Sequence, residues 1–213
     1  MRLVLFDLDN TLVDRAEGLR RWAWEFCADH RLGPEDAEWL VAADRDGLEP
    51  RDTFFAAVRA RFSLSESVAE LIEDFRERNS ALIPVVPGVR CGLPRLRAAG
   101  WRIGVVTNGD ADEQLGTLVR TGLAGMVDGW AISAHEGVGK PDRRLFEIAA
   151  GRCEAPLDGG WMVGDSAAAD ITGGRAAGLH TVWVHRGRRW PQDDGAPDHV
   201  VGDAAGAIEL LLG

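Results

Sequence analysis

Apolar residues along this chain recur with two different periods, and the changes of period divide the sequence. A short apolar run, Leu3–Phe6, predicts a buried β-strand at the start of the chain. From about residue 15 to 83 the apolar positions recur at helical spacing, which predicts four consecutive helices without an intervening strand. From residue 84 onward, short apolar runs alternate with helical patterns, which is typical of a parallel sheet covered by helices on both faces.

The stretch Pro84-Val85-Val86-Pro87-Gly88 marks the last change of pattern with two prolines and a glycine, which stiffen the backbone there. We therefore predict an α/β domain, with a doubly wound parallel sheet, from residues 1–14 and 84–213. A small all-helical domain, residues 15–83, is inserted directly after the first strand.

Two local features of the predicted α/β domain concern its loops and its first helix. Gly92 and Pro94 fall inside the helix that follows the proline stretch, and we expect them to kink or shorten it. The polar stretch from Arg186 to Pro197 is expected to form an exposed loop.

Composition places the chain among ordinary globular proteins, with 46% hydrophobic and 27% charged residues among 213. The net charge of −10 argues against a general nucleic-acid surface or anionic-membrane surface. There is neither a signal-peptide pattern nor a run of the roughly 18 apolar residues that a membrane span needs, so we expect a cytoplasmic protein. The three cysteines lack metal-site spacing, and we expect reduced core thiols at Cys27, Cys91 and Cys153.

Two carboxylates, Asp7 and Asp9, follow the first predicted strand. Alternate residues of a strand leave on the same side, so both would face one side if the extended geometry continued past Phe6. Crowded carboxylates repel one another, and a bound cation or a chemical task is the simplest reason to keep both. The alternative is that they merely begin a turn.

Each of the next three predicted strands also ends in polar residues. Thr107 and Asn108 follow the second strand, Lys140 follows the third, and Asp165 follows the fourth, with Asp170 one turn later. Taken singly, these residues also fit a turn, a solvated lysine and an acid at a helix start. Because ligands bind beyond the carboxyl ends of parallel strands, the combination suits a phosphate bound with Mg²⁺.

Four motifs carry a resemblance to a known family, and they are Asp7-Leu8-Asp9-Asn10-Thr11, Thr107-Asn108, Lys140-Pro141 and Gly164-Asp165-Ser166 with Asp170. In order and approximate spacing they resemble the motifs of the haloacid dehalogenase-like (HAD) superfamily of phosphohydrolases. The resemblance covers the whole chain and implies a Rossmann-like catalytic core. The helical insert resembles the first cap type of that superfamily, as in phosphoglycolate phosphatase-like and beta-phosphoglucomutase-like members.

The resemblance implies a role for each motif residue. Asp7 would be the nucleophile that forms an aspartyl-phosphate, and Asp9 the general acid and base. Asp7, the backbone carbonyl of Asp9 and Asp165 would hold Mg²⁺, with Asp170 either a further ligand or a contact of one. The residues that would bind the phosphoryl oxygens are Thr107, Asn108 and Lys140. The dehalogenating branch lacks an acid at the position of Asp9, so its presence indicates phosphate chemistry.

Two residues of the helical insert are candidates for substrate selection. Trp24 lies off the apolar stripe of its helix, and we expect it to face a substrate. Arg45 could recognise a second anionic group of the substrate, although most arginines of the insert fit a solvated face.

These observations predict a Mg²⁺-dependent phosphatase that acts on a small phosphorylated metabolite. A phosphomutase of the same architecture is the nearest alternative, and it would have to hold a bisphosphate intermediate. A phosphoacceptor receiver module carries similar residues at its strand ends but has no helical insert after its first strand. A binding protein without turnover is the remaining alternative, and neither the substrate nor the choice between monomer and homodimer follows from the sequence.

Overall fold

The computed structural model describes residues 2–191 and 195–213. It divides into two units, an α/β unit formed by Met1–Asp14 with Val85–Gly213, and a helical unit, Arg15–Pro84. Within the described residues, no helix is both long enough and apolar enough to cross a membrane.

Four α-helices form the helical unit, and they are α1 (Arg15–Asp29), α2 (Pro34–Ala43), α3 (Arg51–Phe62) and α4 (Val68–Leu82). Their apolar faces meet around the fully buried Trp22, whose ring centroid lies 4.8 Å from that of Phe75. Trp24, on the same helix, points away from this core and is 53% exposed. The helical periodicity therefore separates the core face of α1 from its solvent face.

A buried ion-pair network lies between α2 and α3. The Asp44 carboxylate is fully buried and accepts hydrogen bonds from both terminal nitrogens of Arg15, at 2.9 and 2.7 Å. Arg51 and the backbone N–H of Gly47 add bonds at 2.8 and 2.7 Å. Burial raises the pKa of Asp44, but the hydrogen bonds and charges of the two arginines outweigh burial and hold it below its usual value.

Among the residues that the structure describes, the α/β unit contains six β-strands, β1 (Arg2–Phe6), β2 (Trp101–Thr107), β3 (Gly129–Ile132), β4 (Trp161–Gly164), β5 (His180–Val184) and β6 (His199–Val201). Every strand pair is parallel, and the order across the sheet is β3-β2-β1-β4-β5-β6. Strand β1 is buried from Leu3 to Phe6 because it lies inside the sheet. The predicted doubly wound parallel sheet is confirmed.

Helices connect and cover these strands, and they are α5 (Val89–Ala98), α6 (Ala111–Arg120), α7 (Ser133–Glu136), α8 (Arg143–Arg152), α9 (Gly173–Ala176) and α10 (Ala204–Leu212). A wide π-helical turn, Ala167–Thr172, leads into α9 and carries Asp170. Such turns recur at functional sites because they redirect one side chain without ending the helix.

Helix α5 contains both residues that were expected to kink or shorten it. It continues past Pro94 to Ala98, so Pro94 does not shorten it, and a kink stays a prediction. Gly92 lies where a β-carbon would come within 2.8 Å of Ile208. The glycine therefore allows α5 to pack closely on α10. Cys91 is exposed rather than part of the core, whereas Cys27 and Cys153 are buried free thiols.

Candidate active site

The chain turns sharply after β1, and this turn arranges the first two acids. The backbone N–H of Asp7 still donates to Val163 of β4 at 2.9 Å, so Asp7 extends the sheet ladder by one residue. The carbonyl of Leu8 then accepts from Thr11, Leu12 and Val13, which wraps the chain around it. The extended geometry therefore ends at Asp7, and a turn sets the direction of Asp9.

Lys140 is the centre of the buried charges at the carboxyl ends of the strands. Its ammonium nitrogen lies 2.6 Å from Asp7 Oδ1 and 2.6 Å from Asp170 Oδ1, and it also donates to the carbonyl of Val106 at 2.8 Å. The Lys140 side chain is 2% exposed. Burial alone would lower the pKa of Lys140, but the charges of Asp170 and Asp7 outweigh it and raise that pKa. Lys140 is therefore a fixed positive charge beside both carboxylates.

The side chain of Asn108 fixes the backbone of Lys140 through two hydrogen bonds. Its Oδ1 accepts from the N–H of Lys140 at 2.8 Å, and its Nδ2 donates to the Lys140 carbonyl at 2.9 Å. Gly139 makes room for this pairing, since a β-carbon there would lie 3.0 Å from Asn108 Oδ1. An amide nitrogen has two protons, so one remains for another acceptor.

Three buried carboxylates, Asp7, Asp165 and Asp170, form a group that we call the acidic triad. Each offers a carboxylate oxygen, and these oxygens lie within 4.8 Å of one another. Asp170 is fully buried and accepts from the N–H of Ser166 at 2.9 Å. Gly164 leaves the space that the Asp170 carboxylate fills, because a β-carbon at that glycine would overlap it.

The electrostatics of the acidic triad favour a bound cation. Burial is the largest contribution that raises the pKa of Asp7, and the Lys140 charge opposes it. Burial followed by the charge of Asp170 raises the pKa of Asp165. A bound cation would relieve the repulsion among these desolvated carboxylates. Carboxylate oxygens are also the hard ligands that Mg²⁺ prefers, so the residues present fit such an ion.

Two arginines that follow β5 also reach Asp165, and the sequence placed them in an exposed loop. Arg186 donates to Asp165 Oδ2 at 3.0 Å, and Arg188 donates to the same oxygen at 2.8 Å. The indole N–H of Trp183 donates a hydrogen bond to the backbone carbonyl of Asp165 at 3.0 Å. Residues 192–194 of the predicted loop lie outside the described residues.

A second chain of hydrogen bonds connects Asp9 with Thr107 through Gln114, which the sequence analysis did not single out. Gln114 Nε2 donates to Asp9 Oδ2 at 2.9 Å, and Thr107 Oγ1 donates to Gln114 Oε1 at 2.9 Å. Gln114 is 5% exposed on α6. A glutamine on the buried side of an amphipathic helix was the available signal, since buried polar side chains need partners.

The structure therefore brings together Asp7, Lys140, Asp165 and Asp170, with Asn108 holding Lys140. The two candidates for substrate selection belong to the helical unit. Trp24 is exposed, and the Arg45 side chain is 67% exposed with a 3.3 Å ion pair to Glu49. Their role stays a prediction.

Comparison with known proteins gives the family. A profile of the haloacid dehalogenase-like hydrolase family matches residues 1–178. The chain therefore belongs to the haloacid dehalogenase-like hydrolases, which confirms the resemblance carried by its four motifs.

Its relatives include several phosphatases. A phosphoserine phosphatase from Thermus thermophilus is 32% identical over 241 residues, covering 95% of this chain and 96% of that protein. A glyceraldehyde 3-phosphate phosphatase from Pyrococcus abyssi is 30% identical, covering 88% of this chain and 83% of that protein. Among solved structures, an HAD hydrolase from Bacillus subtilis bound to magnesium has a TM-score of 0.77 at 22% identity, covering 99% of this chain and 98% of that one.

Proposed function

We propose that this protein is a Mg²⁺-dependent phosphatase that hydrolyses a small phosphorylated metabolite through an aspartyl-phosphate on Asp7. The observation that carries the proposal is the buried Lys140 ammonium, 2.6 Å from both Asp7 and Asp170 and beside the acidic triad. A fixed cation next to a carboxylate nucleophile suits an incoming phosphoryl group, whose charge it offsets. The phosphatase names of the relatives support the same chemistry.

The proposed reaction has two steps that share Asp7 and Asp9. In the first, a carboxylate oxygen of Asp7 attacks phosphorus, and the departing alkoxide takes a proton from Asp9. In the second, Asp9 takes a proton from a water molecule that attacks the same phosphorus, which releases inorganic phosphate and restores Asp7.

Three residues would bind the phosphoryl oxygens. Lys140 supplies positive charge. Asn108 would donate the second proton of its Nδ2 group, the first being donated to the carbonyl of Lys140. Thr107 would donate the hydrogen bond of its hydroxyl group, which it gives to Gln114 Oε1 in this structure. The acidic triad and the backbone carbonyl of Asp9 would hold Mg²⁺, which when bound offsets charge between the carboxylates and the phosphoryl group. The magnesium bound to the Bacillus subtilis hydrolase supports this choice of metal.

The helical unit would contribute to substrate selection through Trp24 and Arg45. We expect Trp24→Ala and Arg45→Ala to change the relative kcat/KM among phosphate esters while hydrolysis of 4-nitrophenyl phosphate changes little. Arg61, also exposed in this unit, provides a matched control as Arg61→Ala. Equal losses on every ester would indicate that these residues only support the fold.

Phosphate release from a panel of sugar phosphates, nucleotides and phospho-acids, with and without Mg²⁺, tests the proposal. Asp7→Asn should abolish turnover on every ester, because an amide of the same size cannot attack phosphorus. The control Asp158→Asn alters a side chain that is 85% exposed and should keep the wild-type rate. Isomerised product without phosphate release would indicate a phosphomutase, and an active, folded Asp7→Asn protein would exclude Asp7 as the nucleophile.

A further inference from the structure

We propose that Gln114 is a positioning residue that orients the carboxyl group of Asp9 for proton transfer and couples it to Thr107. The inference rests on the proposed function, because it assigns Gln114 a task in the two steps that use Asp9. The buried side-chain amide of Gln114 lies between the Thr107 hydroxyl and the Asp9 carboxylate and forms a hydrogen bond with each of them.

The geometry places one amide between two side chains that are distant in sequence. Asp9 and Gln114 are 105 residues apart, and their bond is 2.9 Å long. Thr107 is fully buried and Gln114 is 5% exposed, so water competes little for either bond. Fixing Asp9 Oδ2 also fixes the plane of that carboxyl group, and with it the direction in which its other oxygen points.

The surrounding backbone holds Gln114 in place. Asp110 caps α6 by accepting from the N–H groups of Asp112 and Glu113 at 3.0 and 3.2 Å, and its carbonyl accepts from the N–H of Gln114 at 3.1 Å. Gly109, at a φ of 147°, leaves room for the amide, because a β-carbon there would lie 2.9 Å from Gln114 Nε2. The capped start of α6 therefore fixes the backbone of Gln114, and Gly109 leaves the space that its side chain occupies.

The chemistry of an amide suits a residue that acts first as acid and then as base. Asp9 must carry a proton in the first proposed step and lack one in the second. The side-chain N–H of Gln114 can donate to a carboxyl oxygen in both steps, while its amide oxygen keeps the hydrogen bond from Thr107. One fixed hydrogen bond can therefore orient Asp9 throughout the reaction.

The same amide also governs the hydroxyl of Thr107. A hydroxyl has one proton, and Thr107 donates it to Gln114 Oε1 at 2.9 Å. Thr107 can therefore donate a hydrogen bond to a phosphoryl oxygen only when its hydrogen bond to Gln114 Oε1 is broken. Occupation of the phosphate position and the orientation of Asp9 are coupled through one side chain.

A rapid-quench comparison of two esters tests the inference. The variants are Gln114→Met, which keeps the length but removes both hydrogen bonds, and Asp9→Asn as the reference for loss of the acid. Thr117→Val is the control, since Thr117 is 3% exposed on the same helix and donates to the carbonyl of Glu113. Each protein is mixed with an alkyl phosphate and with 4-nitrophenyl phosphate, and formation of the aspartyl-phosphate is followed.

We expect Gln114→Met to slow this first step about tenfold with the alkyl ester. A positioned general acid accelerates such a step by roughly 10²- to 10⁴-fold, and the variant should lose part of that acceleration. With 4-nitrophenyl phosphate the step should change less than about twofold, because a stable phenolate needs no proton. Adding Gln114→Met to Asp9→Asn should slow the alkyl reaction no further. Thr117→Val should change the rate of aspartyl-phosphate formation by the same factor with both esters.

Equal slowing of both esters by Gln114→Met, or additive effects in the double variant, would overturn the inference. Failure of the proposed function gives a different result, in which the wild-type protein forms no aspartyl-phosphate with either ester. The leaving-group dependence also separates positioning from a loss of stability, because a smaller folded fraction lowers both rates equally.

Discussion

Arg188 contacts Asp165 twice, through one guanidinium nitrogen that lies 2.6 Å from its backbone carbonyl and 2.8 Å from its carboxylate Oδ2. Arg186 shares the same carboxylate oxygen. Together with Lys140, these arginines oppose the negative charge of the acidic triad. A metal ion that binds Asp165 must therefore compete with guanidinium groups for this carboxylate.

Replacing Arg188 by Gln should strengthen Mg²⁺ binding. The side chain is 44% exposed, so the effect is that of a solvent-screened pair, about a two- to fivefold lower Kd for Mg²⁺. Isothermal titration with Mg²⁺ measures it, and Arg189→Gln removes the same charge from the neighbouring residue as a control. Weaker Mg²⁺ binding by Arg188→Gln would mean that the arginine holds Asp165 in its binding position instead.

Mg²⁺ should raise the melting temperature of the wild-type protein by several degrees at saturating concentration. The physical reason is relief of repulsion among the acidic triad, which binding to the folded state alone provides. Ca²⁺ should also stabilise the protein but support little turnover, because it accepts looser and higher coordination. Differential scanning fluorimetry with each ion, and phosphate release in excess EDTA, give the two readouts. Full activity in EDTA would contradict the metal requirement.

Gly164→Ala should damage the site without any change in its charges. The added methyl group would overlap the Asp170 carboxylate, so Asp170 must move away from Lys140 or the strand must shift. We expect a loss of about 1–3 kcal/mol in the free energy of unfolding, as for other overpacked positions, together with weaker Mg²⁺ binding. Gly151→Ala is the matched control, because a β-carbon at Gly151 meets nothing within 4 Å. Urea denaturation that ranks the two variants equally would argue against this packing role.

The Asp44 network predicts a pH dependence that belongs to the helical unit. Asp44→Asn should lower the free energy of unfolding by about 3 kcal/mol near neutral pH, because it leaves the buried Arg15 charge and the partly buried Arg51 charge without this carboxylate. Since the folded-state pKa of Asp44 is below its usual value, this stabilisation is fully present above the unfolded pKa of about 3.9. It is lost as pH falls through the lower folded-state pKa.

The difference between wild type and Asp44→Asn should therefore stay constant from about pH 7 to pH 5 and shrink below about pH 4. Urea denaturation followed by circular dichroism at each pH measures it. Asp52→Asn, an exposed substitution on α3, should cause a small difference from wild type. A wild-type advantage that persists undiminished at the lowest pH would show that the Asp44 charge is not responsible.

The sequence predicted the parts of the site that local pattern encodes. Asp7, Lys140 and Asp165 each stand directly after an apolar run or a glycine-rich loop, so position along the chain was enough to bring them to one edge of a parallel sheet. The structure adds what only tertiary packing determines, namely that Asn108 pairs with the backbone of Lys140.

Residues that act across the fold left a weaker signal. Gln114 meets Asp9 only in the folded chain, because the two residues are 105 positions apart, and sequence periodicity does not specify that pairing. Arg186 and Arg188 stand in a polar stretch, where a cation aimed at a buried acid resembles any solvated arginine. Pro94 does not shorten α5, which packs along α10, although proline is disfavoured inside a helix.

The place of β1 in the sheet also bears on how the protein folds. Val4 pairs with Ile103 on one side and with Trp161 on the other, so β1, which ends just before Asp7, gains its first sheet partner only with β2, near the middle of the chain, and its second only with β4. Pairing over such distances makes folding slow, because the loops must close before these contacts stabilise anything. During synthesis the first strand emerges as an unpaired apolar segment, in need of protection from aggregation until β2 and β4 follow.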